Sequence, residues 1–398
     1  MSAENKAIGA RLRAAREADP YWSRADLARR MRAAATPGEL PRVAHVKSLT
    51  DMIKAWEAGK AVPSPRHPYR ALYARVTGLS EAELFGAAAP SLWRTDGLNG
   101  AFTPDDEDRL DYVAKHPLRV DSAVLKSLAV VLAAQRRLED AIGSAAILPA
   151  VHAQLEAVEQ ILTGAAGKHR PALVGITGQW TQFLGWLHIS TGRYGRASAL
   201  LDRALRHATE SDDADLVSEV MGFQGQIAWE RGQVGTVIGL RQAARRAPAI
   251  WPGQVAISAS QEARAHAVLG DAAEADRLLD LADEHAEQAR ERADETPPWL
   301  YYQVDGFFEL HRGQAWRHLG RHQPAYNRKA IGVLTEGLAK LPSVMRGAEW
   351  AGDFVYQLAR AYRQAGEHSE AMRTAEELDA LATRIGSQRL TRLAAELR

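Results

Sequence analysis

TGRYGRA at residues 191–197 has four counterparts further along the chain: RGQVGTV (231–237), LGDAAEA (269–275), LGRHQPA (319–325) and AGEHSEA (365–371). Each carries glycine in second place and sits inside a triplet of mostly small residues spaced twelve and then seven apart. The triplets are Gly185, Ala197, Ala204; Gly225, Val237, Ala244; Ala263, Ala275, Ala282; Gly313, Ala325, Gly332; and Ala359, Ala371, Leu378. Glycine supplies the backbone freedom that closes a tight helical turn, and small side chains let two helices approach closely. The spacing therefore predicts a helical hairpin, repeated five times with steps of 40, 38, 50 and 46 residues. One such hairpin cannot bury its own apolar face, so neighbours are expected to stack into an α-solenoid, with a generic helical bundle as the alternative.

The pattern resembles the tetratricopeptide (TPR) repeat, whose bare unit is about 34 residues. The resemblance implies a TPR-like domain over residues 166–398, with longer loops or helices than the bare unit and a terminal cap at 390–397. In such a solenoid the first helix of each pair lines a concave face. Projection puts Gln179, Gln182, Trp186, Glu219, Gln226, Trp229, Arg264, Phe307, Gln314, Arg317, Tyr356, Arg360 and Arg363 on or near it. Amides suit the backbone of an extended peptide and arginine suits a carboxylate, so a peptide or small-molecule effector is expected there. For each aromatic taken singly, packing between repeats is the preferred reading. ETPPWLYYQVDGFF (295–308) holds two prolines and five aromatics. It either lines the groove or fills the gap where the step lengthens to 50, and gap filling is the preferred reading.

The N-terminal part is organised around KSLTDMIKAWEAG (47–59). As a helix it places Leu49, Ile53 and Trp56 on one face and Lys47, Asp51 and Lys54 on the other, with small Ser48 and Ala55 beside them. Gly59, Pro63 and Pro65 end it. Upstream, Ile8, Leu12 and Ala15 form an apolar face, Asp19-Pro20 breaks that helix, and Ser23 with Asp26 makes a capping box for a second helix carrying Leu27, Ala28 and Met31. Two further helices follow, at 69–76 and 81–85.

SRADLA (23–28), IKAWEAGKAVPSP (53–65) and GLSEAELFG (78–86) resemble the XRE-type, lambda-repressor-like helix-turn-helix. The resemblance covers residues 1–88 and implies binding to double-stranded DNA. Lys47, Asp51 and Lys54, with Ser48 between them, would then face base edges. Arg24, Thr50, Lys60 and Arg66 would hold phosphates. By the same resemblance Glu57 is structural, paired with Arg16 on the first helix. Two features depart from the family pattern: about ten residues (35–46) separate the two motif helices instead of about four, and Arg24 stands where the family usually has glutamine.

Residues 89–165 read as a helical connector: an acidic helix after a cap at Thr103, a helix over 122–142, and another starting at Pro149 and running to Leu162. In the second of these the RRLED segment (136–140) is expected to be exposed.

Composition narrows the functional classes. The 398 residues include no cysteine, which excludes disulfides, thiol catalysis and Cys-ligated zinc. Residues 1–75 hold 15 Lys+Arg against 7 Asp+Glu, a net of +8, while the rest of the chain has a net of −7. A basic head on an acidic body points to a polyanionic partner for the head. No apolar run approaches membrane-spanning length, so no membrane association and a cytoplasmic location are expected. The thirteen histidines do not fall at metal-ligand spacing with carboxylates, and no phosphate-binding loop, HExxH or GxSxG is present. No catalytic residue, metal or cofactor is therefore expected.

Together these readings imply an all-α chain, a helix-turn-helix domain followed by a TPR-like α-solenoid. It resembles the RRNPP group of peptide-sensing regulators and the helix-turn-helix/TPR regulators of actinobacteria. The expected function is a homodimeric, sequence-specific transcriptional regulator that reads a partly palindromic operator under control of an effector. The alternative is a TPR docking scaffold with a weak DNA-binding head.

Overall fold

The computed structural model describes residues 3–64, 67–86, 92–93, 102–247 and 249–398. Among them are twenty α-helices and no strand. The chain divides into two compact units, Met1–Arg94 and Thr95–Arg398.

The first unit holds α1 (Ala3–Glu17), α2 (Arg24–Ala33), α3 (Val46–Glu57), α4 (Tyr69–Thr77) and α5 (Glu81–Phe85). Ser23 accepts from the Asp26 N–H while the Asp26 carboxylate accepts from the Ser23 N–H, so α2 starts where the capping box predicts. Ser80 and Glu83 repeat the device at α5. The core joins Leu12, Leu27, Met31, Leu49, Ile53, Trp56, Leu72, Tyr73 and Phe85. Tyr73 extends its hydroxyl through this core to donate to the Leu12 carbonyl at 2.8 Å.

The join between α2 and α3 is a fastened loop. It contains a single 3-10 turn at Leu40–Arg42. Arg32 donates to the carbonyls of Val43 and Ala44, the Ala44 N–H donates to the Tyr69 hydroxyl, and Arg75 bridges to Glu39. Gly9 sits where α1 crosses the end of α3. A Cβ there would lie 2.7 Å from the Trp56 carbonyl oxygen and 2.8 Å from that of Glu57. Both are backbone atoms that cannot swing aside, so Gly9→Ala is expected to destabilise this unit by about 1–3 kcal/mol. Thermal melting of the variant beside wild type checks this, and an unchanged profile would contradict it.

The second unit begins with α6 (Pro104–Lys115), α7 (Ser122–Ile142) and α8 (Ser144–Gly164). These pack on one another and on α9 (Arg170–Ser190), so the stretch read as a connector belongs to the compact body. α8 starts five residues before Pro149, because Gly143 (φ +85°) turns the chain directly from α7 into α8. Pro149 then lies inside α8, where its missing N–H removes one intrahelical bond.

Five hairpins follow. They are α9 with α10 (Tyr194–Glu210), α11 (Ala214–Glu230) with α12 (Val234–Ala244), α13 (Pro252–Leu269) with α14 (Ala272–Glu291), α15 (Phe307–Leu319) with α16 (Ala325–Lys340), and, after the short α17 (Ser343–Arg346), α18 (Glu349–Ala365) with α19 (His368–Ile385). α20 (Gln388–Ala395) packs on α18 and α19. The first helices of successive hairpins touch in series. Gly192, Gly232, Gly270 and Gly366 occupy the turns with φ between +69° and +81°, a region that other residues enter only at a cost.

The fourth hairpin departs from the expected register. Ala325 and Gly332 are exposed, and Asn327 and Leu334, two residues further on, take the buried positions. The cause is the turn: residues 320–324 separate α15 from α16, whereas two or three residues serve in the other hairpins.

α7 closes the second unit on itself. It packs on α8 and α9 near the start and on α17 and α19 near the end. Asp140 on α7 accepts hydrogen bonds from the Tyr301 hydroxyl (2.6 Å) and the Trp350 indole (3.1 Å). No helix among the described residues is long and apolar enough to cross a membrane.

Candidate functional site

Two places concentrate the candidate residues. The first is the outer face of α3. Leu49, Ile53 and Trp56 anchor the helix in the core, while Lys47, Ser48, Asp51 and Lys54 are all exposed on the opposite side. His45 precedes the helix without a side-chain cap, leaving the first N–H groups available to an anion. Lys60 is exposed just beyond the helix end. Thr50 is half-buried and donates its hydroxyl to the Val46 carbonyl at 2.7 Å. Arg66 lies outside the described residues.

The angle of α3 is set by Glu57, whose side chain is fully buried. Its carboxylate accepts from Arg16 Nε (2.5 Å) and Nη2 (3.1 Å). Arg24 Nε adds a third bond at 2.7 Å, so this residue, expected on phosphate, spends part of its hydrogen-bonding capacity inside the unit. Arg16 also donates to the Trp22 carbonyl, and its pKa is raised chiefly by the hydrogen bond to Glu57.

The second place is a cavity of about 290 Å³ within the second unit. That is at the small end of ligand pockets, which run from about 300 to 1,000 Å³. Gln182 and Trp186 of α9, Gln226 and Trp229 of α11, Arg264 of α13, Gln314 of α15 and Tyr356 of α18 all line it, as do Glu219 and Phe307. Gln179, Arg317 and Arg360 do not. Gln179 offers its carbonyl to Arg136, Arg317 donates to Gln357 Oε1 at 2.7 Å, and Arg360 donates to the Tyr356 hydroxyl at 2.7 Å. Arg363, also projected toward the face, turns to the carbonyls of Glu396 and Leu397.

Trp299, Tyr301 and Tyr302 of the Pro-rich aromatic stretch form part of the wall, so that stretch lines the cavity as well as filling the long step. α20 supplies Arg389, Arg392 and Leu393. From α7 come Arg136 and Glu139, which were expected to be exposed. They are buried, with Asp140, at the end of α7, where Arg136 meets Gln182 of α9 and Asp140 meets Tyr301 and Trp350.

Charge in the cavity is unevenly satisfied. Arg389 pairs with Asp353 at 2.5 Å and approaches Glu349 at 3.4 Å. Arg136, Arg241 and Arg264 are equally buried, yet no carboxylate among the described residues forms an ion pair with them. Burial pushes their pKa values down, to about 10, 10 and 9. Arg264 lies over the Trp229 ring at 3.4 Å and donates to Gln261 Oε1. Glu219 is held by the Gln254 amide and the Tyr302 hydroxyl, both at 2.7 Å, and burial raises its pKa. His311 is kept neutral, its pKa lowered by burial to about 3.

Glu139 is pushed up to about 8, first by burial and then by neighbouring Asp140. The fold therefore keeps a proton there that the unfolded carboxyl, titrating near 4.5, has already lost. This contribution to stability is complete at low pH and is lost as pH rises to about 8. Buried neutral His188 and His311 act in the opposite direction only below about 6.5, where unfolded imidazoles take up protons. Raising pH from 6.5 to 8 is thus expected to cost the second unit up to about 2 kcal/mol, and Glu139→Gln is expected to flatten the slope. Urea midpoints at the two pH values measure it; equal slopes in wild type and variant would contradict the assignment.

Among the described residues no group of three or more His, Asp or Glu is placed to hold a metal ion. The sequence matches no protein-family model, and no curated protein matches it.

Proposed function

We propose that this protein is a DNA-binding transcriptional regulator controlled by a ligand in its second unit. In this reading α2 and α3 are the two helices of an XRE-type helix-turn-helix, and the five hairpins from α9 to α19 are TPR-like repeats. One observation carries the proposal: α3 is fixed in place by a buried apolar face and by Glu57, and presents Lys47, Ser48, Asp51 and Lys54 together to solvent. A helix fixed on one side with short polar and basic reach on the other fits a major groove, lysine donating to guanine and aspartate accepting from cytosine. Two copies would read the halves of a partly palindromic site, and the effector would alter DNA affinity through its differential binding to the two states.

The reading in which the repeats are an open docking scaffold is less favoured by the cavity, because α7 and α20 contribute to its wall along with the repeats. The test is a mobility shift of full-length protein on genomic fragments from its own chromosome, with excess nonspecific DNA as competitor. A shift that survives the competitor on a subset of fragments is expected. No shift on any fragment at about 50 mM salt, where phosphate contacts are strongest, would overturn the proposal.

A further inference from the structure

Three arginines at the cavity are over nine-tenths buried: Arg136 and Arg241 are each 7% exposed and Arg264 is 6% exposed. Leaving a buried charge unpaired is strongly destabilising, and the same cavity shows the ordinary remedy in Arg389 with Asp353. The Nε atoms of Arg241 and Arg264 have no hydrogen-bond partner at all, and neither does Nε2 of neighbouring His311. These three nitrogens are therefore left without a partner, although Arg264 and Arg136 make other bonds, to Gln261 and to Gln179 and Gln182.

The surroundings are shaped to keep them there. Arg241 lies across Gly222 and Gly225 of α11, where a Cβ would come within 2.8 Å of its Nη1 and 3.2 Å of its Nε. Arg264 sits over the Trp229 ring, 3.4 Å from its centroid, and Arg136 over the Phe183 ring at 5.5 Å. The wall also carries the rings of Trp186, Phe223 and Phe354, and its carboxyl groups already have partners in Glu219, held by Gln254 and Tyr302, and Asp353, paired with Arg389.

We infer that the cavity binds a small, flat organic anion whose carboxylate is taken by Arg241 and Arg264 and whose apolar body lies among the aromatic rings. Guanidinium forks match a carboxylate's two oxygens, and stacking on rings selects a planar body. The volume fits one small molecule. This inference rests on the ligand-controlled reading of the second unit and specifies its effector class.

The test uses full-length protein without DNA. Thermal shift and tryptophan fluorescence are read with 1-naphthoate, indole-3-carboxylate and phthalate, each beside its neutral amide. At least one acid is expected to bind, with its amide at least tenfold weaker. Arg241→Met and Arg264→Gln are each expected to weaken that acid at least tenfold, while the free variants melt no lower than wild type, since an unpaired buried charge has been removed. If no acid binds better than its amide, or if both variants keep full affinity, the inference is overturned. The acid–amide comparison needs no variant, so it stands even where a variant misfolds. Acid binding without any DNA shift would sink the regulator proposal alone, and a DNA shift without acid preference would sink this inference alone.

Discussion

Glu57→Ala is expected to destabilise the first unit by about 3–5 kcal/mol, the cost of stripping one partner from a buried ion pair. Glu57 is the only acceptor joining α1, α2 and α3 through side chains of Arg16 and Arg24 among the described bonds. Its loss leaves Arg16, 3% exposed, with the half-exposed Glu17 carboxylate as its remaining ion-pair partner among the described residues and no counter-charge on α3. Glu57→Gln keeps an acceptor and loses the charge, so it should fall between. Hydrogen exchange on the full-length protein reads the effect locally. Amides of α1–α3 should lose protection by a factor of at least about 100 in Glu57→Ala, while those of α9–α19 stay unchanged. Unchanged protection in α3 would mean that the apolar face alone orients the helix.

Changing Lys47 and Lys54 together to alanine is the second large effect. Both side chains are exposed and anchor nothing in the core, so the fold should be retained. A well-formed base contact is worth about 1–3 kcal/mol of discrimination, and two of them together set the expected loss at thirtyfold or more on a specific site. Affinity for random DNA should fall far less, because that term comes from phosphate contacts spread over the basic unit. Equal losses on specific and random DNA would assign both lysines to phosphate. No loss on either would remove α3 from the interface.

The local signals were strong where chemistry is local. The capping box at Ser23, the apolar face of α3, and the glycine turns of four hairpins depend on residues within one or two turns of each other. The Arg16–Glu57 pair spans 41 residues and was legible only through the family resemblance. The cavity was half legible. The first helix of each hairpin exposes a predictable face, so Gln182, Trp229 and Arg264 could be projected onto it. Arg136, Glu139 and Asp140 were misread because mixed charges on a helix ordinarily mark a solvated face. The clue was positional: Leu128, Leu132, Gln135 and Glu139 continue one stripe of α7. Neighbouring helices bury most of that stripe, Gln135 meeting Gln154 of α8, but the end of α7 also meets residues far along the chain, as in the Asp140–Trp350 bond across 210 residues, and no local periodicity reports such a contact.

In the proposed function α3 reads DNA sequence. Selection of binding sites from a random DNA library by full-length protein, at two salt concentrations, tests it most directly. The expected result is an enriched inverted-repeat motif that persists at the higher salt and disappears when Lys47 and Lys54 are alanine. Binding that is blind to sequence and lost at the higher salt would contradict it, leaving only phosphate contacts for the basic head.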